Sequence, residues 1–318
     1  MKTRIARTLM LGTVIGASAC TPAENAGRNQ MSESTSVLPS EIDALNAFYY
    51  YEDVDAAWAF YRDVLGFETA ADYGFAKIMH VAPRSFLTLV DAERGMHSAD
   101  EPKSVALAIV TQDLEPWFAH LQAHDVPLRS ELTFREGSAH DGFVAIDPEG
   151  YLLEFEWFNE HEENVDLSPQ LAMIEPVVTG QRPPELGVSA TVLWLYYDEL
   201  APNERFYEEL LDQSLLVDQG WAKVYQASPT GYIGLVDGAR GMHASTEENA
   251  VTVSFLTADV RGWMDRARTL GVELRSDSIG LESNLVATFV GYDPTGYFLE
   301  WDHFLDRAEN ERILEIIR

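Results

Sequence analysis

The chain has 318 residues, of which 46% are hydrophobic, 11% aromatic and 23% charged. This composition excludes wholesale disorder, and the length suits two domains of ordinary size. The 52 acidic residues outnumber the 22 basic ones and give a formal net charge of −30, which disfavours nucleic acid and anionic lipid surfaces as partners.

Residues 1–19 predict an export signal. Lys2, Arg4 and Arg7 precede a short apolar run that ends in small residues before Cys20, the only cysteine in the chain. The run is too short to span a bilayer. Because the segment resembles a bacterial lipoprotein signal, we expect acylation of Cys20 and anchoring to a bacterial membrane, with the periplasmic face favoured. The alternative is simple secretion, with cleavage nearby.

The rest of the chain is a repeat. Residues 44–158 return as residues 190–304 at a constant offset of 146 positions, without gaps. Such a long period indicates two copies of one domain rather than a solenoid of short units. Residues 20–43 are predicted to be a flexible tether, 159–189 an acidic, proline-bearing linker, and 305–318 a C-terminal tail.

Each copy is predicted to contain the order strand, helix and three strands twice. Asp53 is a plausible N-cap of the first helix and Gly66 its stop. In copy one the predicted helices are 53–65 and 114–124, and the predicted strands are 47–51, 67–70, 75–81, 86–90, 105–110, 128–132, 142–146 and 151–157. Because strands outnumber helices, the predicted class is α+β, with helices packed on one face of a sheet.

Two motifs carry a family resemblance: Asp53-x-x-x-x-x-x-Phe60-Tyr61-x-x-x-Leu65-Gly66-Phe67 and Asp147-Pro148-x-Gly150-Tyr151-x-x-Glu154. They are similar to motifs of the glyoxalase, bleomycin-resistance and extradiol-dioxygenase superfamily, also called the vicinal oxygen chelate superfamily. The resemblance covers nearly all of both copies, although copy two departs from the first motif at its helix end. It implies two tandem domains, each a curved, cup-like mixed sheet made of two βαβββ modules.

In metal-binding members of this family, the first and last strands of the modules supply the ligands. The last-strand carboxylates are present here as Glu154 and Glu300. The other positions fall on Asn46, Thr88 and Ala106 in copy one, and on Val192, Gly234 and Thr252 in copy two. A catalytic divalent metal usually needs about three His or carboxylate ligands. We therefore expect no cofactor; the alternative is a divalent metal in copy one, with Glu154, His140 and His80 as weak ligand candidates.

A carboxylate at the floor of a cup needs compensation, because an unpaired buried charge is costly. Lys77 and Lys223 are matched residues of a Gly-x-Ala-Lys segment in both copies. We interpret them as the partners of Glu154 and Glu300.

Other candidates line the predicted cups or lie on a loop that both copies retain. Aromatic and acidic lining candidates are Phe48, Tyr50 and Glu156 in copy one and Trp194 and Tyr196 in copy two. The retained loop residues are Asp91, Arg94, His97, Asp237, Arg240 and His243. A structural role in a tight turn is favoured for this loop over an acid-base role of its histidines at a cup mouth.

Two functions remain open. The first is a membrane-tethered double cup that binds a small cationic or aromatic compound without a full metal site, as bleomycin-resistance relatives do. The second is a metal-dependent lyase, isomerase or dioxygenase with a single active site in copy one. Full histidine sets would have favoured the enzyme, and their absence favours the binding protein.

Replacing Cys20 by serine tests the predicted membrane anchoring. The variant lacks the thiol that would be acylated, so we expect it to leave the membrane fraction and appear in the soluble fraction on immunoblots of fractionated cells. An unchanged membrane fraction would contradict the lipoprotein interpretation.

Overall fold

The computed structural model describes residues 39–180 and 182–318. The predicted signal, Cys20 and most of the predicted tether lie outside the described residues, so those expectations stay predictions. In the two described ranges, no helix has the length and apolar character needed to cross a membrane.

Four modules of the same type follow one another along the chain. Module 1 contains β1 (Ile42–Tyr51), α1 (Val54–Ala59) with a π-helical turn at Phe60–Val64, β2 (Glu68–Asp72), β3 (Ala76–Ala82) and β4 (Ser85–Asp91). Module 2 contains β5 (Val105–Val110), α2 (Leu114–Ala123), β6 (Leu128–Thr133), β7 (His140–Ile146) and β8 (Leu152–Phe158). The 3₁₀ turn Glu162–Asn164 and α3 (Ser168–Leu171) follow.

Copy two repeats this order. Module 3 contains β9 (Ala190–Tyr197), α4 (Leu200–Leu211), β10 (Leu215–Asp218), β11 (Ala222–Gln226) and β12 (Gly231–Asp237). Module 4 contains β13 (Val251–Thr257), α5 (Val260–Leu270), β14 (Glu273–Leu274), β15 (Gly280–Glu282), β16 (Val286–Tyr292) and β17 (Phe298–Phe304). The 3₁₀ turn Ala308–Asn310 and α6 (Glu311–Ile317) end the chain. The predicted α+β class and the repeated βαβββ order are confirmed.

The modules combine into two sheets. Sheet 1 has the strand order β14-β16-β17-β13-β1-β4-β3-β2, with β15 beside β16. Sheet 2 has the order β10-β11-β12-β9-β5-β8-β7-β6. Modules 1 and 4 therefore build one curved sheet, whose hollow face we call cup 1, and modules 2 and 3 build the other, with cup 2.

This pairing corrects one expectation, that the two modules of each copy share a cup. Instead, β1 of copy one runs antiparallel to β13 of copy two, with Asn46 opposite Ser254, and β5 pairs with β9 in the same way. The repeat specifies what each module is. It does not distinguish pairing within a copy from pairing between copies, because β1, β5, β9 and β13 are equivalent strands.

Strand alternation separates a core beneath the helices from the cup faces. In β5, Leu107 and Ile109 join the core that also holds Trp117 of α2, whereas Ala106 and Ala108 face cup 2. Helix starts follow the predicted pattern, since the Asp53 side chain accepts a hydrogen bond from the Ala56 amide at 2.9 Å.

The Asp-Pro-x-Gly-Tyr motif forms a turn. Asp147 Oδ1 accepts hydrogen bonds from the amides of Glu149 at 3.0 Å and Tyr151 at 2.8 Å. Gly150 has a φ of +98°, which favours glycine. The Tyr51 hydroxyl donates to Asp147 Oδ2 at 2.7 Å and the Tyr61 hydroxyl at 3.1 Å, which links the motif to its upstream Phe-Tyr partner.

The motif tyrosines also join the two sheets. The Tyr151 hydroxyl, at the start of β8 in sheet 2, accepts from the Tyr50 amide at 2.8 Å and donates to the Ala250 carbonyl at 2.7 Å. Both partners belong to the sheet 1 side. Tyr297 makes the matching bonds in the opposite direction, to the Tyr196 amide and the Ser104 carbonyl.

The repeat continues beyond its predicted end. Asn164 Nδ2 donates to the carbonyls of Ala139 and Asn159, and Asn310 makes the corresponding bonds to Leu285 and Leu305. The first part of the predicted linker is therefore equivalent to the predicted tail.

Removing one hydroxyl from this network tests its energetic role. We expect Tyr51→Phe to lower the free energy of unfolding by about 1–3 kcal/mol, because the buried Asp147 carboxylate loses a donor. Tyr49→Phe is the matched control and should change stability by less than about 0.5 kcal/mol, since no described residue pairs with the buried Tyr49 hydroxyl. Urea unfolding of both variants measures the difference, and equal losses would contradict the assignment.

Candidate functional site

Cup 1 contains a cavity of about 930 Å³ between modules 1 and 4. Its aromatic lining comes from both modules: Phe48, Tyr50, Tyr73 and Phe75 from module 1, and Phe289 and Phe304 from module 4. Its polar lining from module 4 includes Thr288, Glu300 and Asp302, with Arg275 at one side. The candidate site therefore belongs to both copies of the repeat, whereas the sequence predicted a separate cup within each copy.

Two carboxyl groups form the floor of this cavity. Glu300 and Asp302 lie two residues apart on β17, so their side chains share one face of the strand. Glu300 is 7% exposed and Asp302 2%. The Thr288 hydroxyl donates to Glu300 Oε1 at 2.9 Å, and the Ser254 hydroxyl donates to Asp302 Oδ2 at 2.6 Å.

This carboxyl pair lacks a compensating cation. None of the ion pairs among the described residues involves Glu300 or Asp302, and Glu300 Oε2 is buried without a hydrogen-bond partner there. Burial raises the pKa of Glu300 well above its ordinary value, and the neighbouring Asp302 raises it further. Burial also raises the pKa of Asp302, although hydrogen bonds from Ser254 and Thr288 oppose this shift.

Neutral polar groups complete the centre of cup 1. Asn46 Nδ2 donates to Thr88 Oγ1 at 2.9 Å, and the Thr88 hydroxyl lies 3.1 Å from Asn46 Oδ1. The Tyr50 and Thr252 hydroxyls are 2.8 Å apart. The structure thus brings three of the sequence candidates, Asn46, Thr88 and Glu300, together on one cup face.

Cup 2 has the same carboxyl pattern in an apolar setting. The positions that correspond to Asn46, Thr88, Thr252 and Ser254 of cup 1 are Val192, Gly234, Ala106 and Ala108. Alanine and valine side chains of this face form one buried cluster with Trp194, Tyr196 and the connector residues Leu167 and Leu171. The interior of cup 2 is therefore filled by apolar side chains of the protein itself.

Trp194 occupies the middle of cup 2. Its indole Nε1 donates to Glu156 Oε1 at 3.3 Å. A Cβ atom at Gly234 would lie 2.0 Å from the Trp194 ring, so this ring needs glycine beneath it. Burial raises the pKa of Glu154, beside this pair, to about 7.

The predicted lysine partners are wrong. Lys77 Nζ lies 2.7 Å from Asp72, and Lys223 Nζ lies 2.6 Å from Asp218. Lys77 also lies over the Trp58 ring of α1, on the helix side of its sheet. The physical reason is alternation: Ala76 and Ile78 line the cavity, so Lys77 between them faces away from it.

The two histidine candidates do not meet Glu154. His80 belongs to β3 in sheet 1, where Nδ1 is 3.7 Å from Glu68 and the ring stacks on Phe86. His140 starts β7 opposite Phe158, whereas Val144 is the residue opposite Glu154. His140 is thus four strand residues, about 13 Å, from that position.

The retained loop has a mainly structural geometry. The Asp91 side chain accepts from the Glu93 amide, and the Arg94 guanidinium lies over the Phe75 ring rather than beside Asp91. His97 Nδ1 is 2.6 Å from Glu101, and its ring packs on Phe298. Arg94 and Met96 line the cavity of cup 1, so this loop forms part of its rim.

The second loop repeats this arrangement at cup 2. Asp237 accepts from the Ala239 amide, Arg240 lies over the Trp221 ring, and His243 packs edge-on against Tyr196. Burial lowers the pKa of His243 to about 4.

Comparison with known proteins agrees with this fold. Residues 42–155 match the family model described as glyoxalase/bleomycin resistance protein/dioxygenase superfamily. These residues therefore have the sequence of a domain of this superfamily. Glyoxalase I from Zea mays is 16% identical, with a TM-score of 0.57 over 86% of this chain and 94% of its own. A “putative dioxygenase” from Bacillus subtilis is 15% identical, with a TM-score of 0.55 over 84% and 86% of the two chains. No curated protein sequence matches.

The superfamily's metal positions converge in cup 1 as Asn46, Thr88, Thr252 and Glu300. Three of these residues are neutral, and all four already make hydrogen bonds. In the described part of the chain, no group of three or more His, Cys, Asp and Glu side chains is arranged to hold a metal ion. This donor set does not fit the metal centre that some superfamily members carry.

Sequence reasoning missed Asp302, Thr288 and Ser254. The available signal was the pair of acidic residues two positions apart in both last strands, Glu154 with Glu156 and Glu300 with Asp302. Strand alternation places each pair on one face. Asp302 differs in residue type from its counterpart Glu156, so a search for residues identical in both copies does not reveal the shared carboxyl group.

The pKa of Glu154 makes stability depend on pH. A folded-state pKa of about 7, above the ordinary glutamate value of 4.5, adds stability at low pH that is lost as pH rises from about 4.5 through 7. We expect Glu154→Gln to remove this loss and to be more stable than the parent by about 1–2 kcal/mol at pH 8. Glu131→Gln, at an exposed position of β6, is the control. A less stable Glu154→Gln protein at pH 8 in urea unfolding would contradict this.

Proposed function

We propose that the protein is an exported, membrane-tethered binding protein that holds a small organic molecule with an aromatic part in cup 1. The observation that carries this proposal is the cavity of about 930 Å³, with aromatic side chains from both modules in its lining and a few convergent polar groups at its floor. Ligand pockets typically have volumes of about 300–1,000 Å³ and this mixture of surfaces.

The contrast between the cups supports a single site. Both cups retain two acidic residues, but the central polar residues remain only in cup 1. Cup 2 places Trp194 over Gly234, where cup 1 has the smaller Phe48 and the branched Thr88. Packing stabilises a fold, whereas an open polar cavity does not, so retention of the cavity favours a binding role.

The exported and tethered part of the proposal rests on residues 1–20. The basic start, the apolar run and Cys20 support it, and the Cys20→Ser variant tests it separately from ligand binding.

Transplanting the cup 2 residues into cup 1 tests the binding site. Calorimetric titrations would use three aromatic probes: cationic ethidium, neutral Nile red and anionic anilinonaphthalene sulfonate. We expect at least one probe to bind one-to-one with a Kd on the order of 10 µM. The double variant Phe48→Trp/Thr88→Gly should weaken that binding at least tenfold, because the indole fills the cavity.

The reverse exchange, Trp194→Phe/Gly234→Thr in cup 2, is the matched control and should leave probe binding unchanged. Circular dichroism and thermal unfolding establish that both double variants are folded. Absence of saturable binding for all three probes, or equal binding by the filled variant, would contradict the proposal.

A further inference from the structure

The inner face of cup 1 contains a buried carboxyl group, that of Glu300, whose hydrogen-bonding capacity is only partly used. Glu300 is more than nine-tenths buried, lines the cavity, and has its Oε2 without a partner among the described residues. Asp302 lies on the same strand face and shares the Thr288 hydroxyl as a neighbour. A buried oxygen of this kind is expensive unless a donor or a positive charge reaches it.

Cup 2 shows what satisfies one acid of the equivalent pair, Glu156, which corresponds to Asp302. There the Trp194 ring covers the cup face, and its N–H group donates to Glu156. An aromatic system that carries an N–H donor therefore occupies the position that cup 1 leaves as a cavity. The indole N–H of Trp194 is thus an internal example of an aromatic donor whose hydrogen bond such a pair of acids accepts.

We propose that cup 1 recognises an aromatic ligand with a positively charged nitrogen, and that this nitrogen replaces a proton held between Glu300 and Asp302 in the free protein. This inference rests on the proposed function of cup 1. The proton moves from the carboxyl pair to the solvent, while the charge of a permanently cationic ligand does not change.

The proton state follows from the crowding of two buried acids. Two carboxylates that share a small buried space cannot both ionise without a large cost, so the pair titrates as a unit and keeps one proton. The raised pKa values of Glu300 and Asp302 agree with this state. A cation close to the pair favours its ionised form and expels the proton.

With Glu300 and Asp302 included, five acidic side chains and two arginines line the cavity, so its lining is net acidic. Glu282 of β15, Glu309 of the C-terminal turn and Asp72 of β2 line the same cavity, although Asp72 is paired with Lys77. The two lining arginines are engaged with aromatic rings: Arg94 with Phe75 at 4.2 Å and Arg275 with Phe298 at 5.8 Å.

The aromatic groups of the cavity also favour a cationic ligand. Burial raises the pKa of both Tyr50 and Tyr73, so neither phenol ionises near neutral pH. With Phe48 they provide neutral ring faces that attract cations.

Proton release on binding provides the test. Ethidium would be titrated calorimetrically at pH 7 in phosphate and in Tris, whose ionisation enthalpies differ. We expect the native protein to release about one proton for each ethidium bound. The variant Glu300→Gln/Asp302→Asn should release none and bind ethidium at least tenfold more weakly, while its affinity for neutral Nile red is retained.

The matched control is Glu154→Gln/Glu156→Gln in cup 2, which should leave both proton release and affinity unchanged. Ethidium binding without proton release, or unchanged ethidium affinity in the cup 1 variant, would overturn this inference and leave the proposed function intact. If neither ethidium nor Nile red binds to the native protein, the proposed function itself fails and the inference falls with it.

Discussion

The antiparallel pairing of β1 with β13, and of β5 with β9, determines every property of the candidate site. It places the Asn46–Thr88 pair of copy one on the same cup face as Glu300 of copy two. Had each copy closed on itself, Asn46 would face Glu154, and each cup would contain the residues of one copy alone. Because the sheets exchange modules, each cup instead combines one module from either copy, and the two cups differ in composition. The tyrosine bonds of Tyr151 and Tyr297 hold the sheets together in this arrangement.

Exchange of modules allowed the two cups to diverge while the fold remained the same. The turns at Asp147 and Asp293, with their paired tyrosines, are equivalent in detail, so the parts that shape the sheets are held in common. The cup faces differ, because apolar residues in cup 2 replace an amide and hydroxyls in cup 1. A continuous hydrophobic cluster stabilises cup 2. In cup 1 the corresponding clusters are separated by the polar centre, which is the pattern expected of a site rather than of a core.

Much of this architecture was accessible from the sequence, and the rest was inaccessible for identifiable reasons. Periodicity and caps predicted the module order and the helix start at Asp53, because these signals are local. The family resemblance implied the cups and the position of Glu300 in one of them. The choice of partner strand is non-local, and equivalent strands in a repeat carry no label that selects one partner. Lys77 was assigned to the wrong face because period-two alternation reverses with a slip of one residue. Asp302 was overlooked because an Asp–Glu difference between the copies conceals a shared carboxyl group.

The two cups differ in the source of the hydrogen-bond partners for their buried carboxyl pairs. A buried carboxyl pair lowers stability unless donors or a charge compensate it, so its presence in a packed cup requires an internal partner. In cup 2, Trp194 is the internal partner of Glu156, and Gly234 leaves room for the Trp194 ring. In cup 1 the Ser254 and Thr288 hydroxyls satisfy only part of the pair, and Glu300, which lines the cavity, keeps its buried Oε2 without a partner among the described residues. The unmet hydrogen-bonding capacity that weakens the free protein is the same capacity that a ligand nitrogen would meet, so stability and affinity oppose each other at this residue.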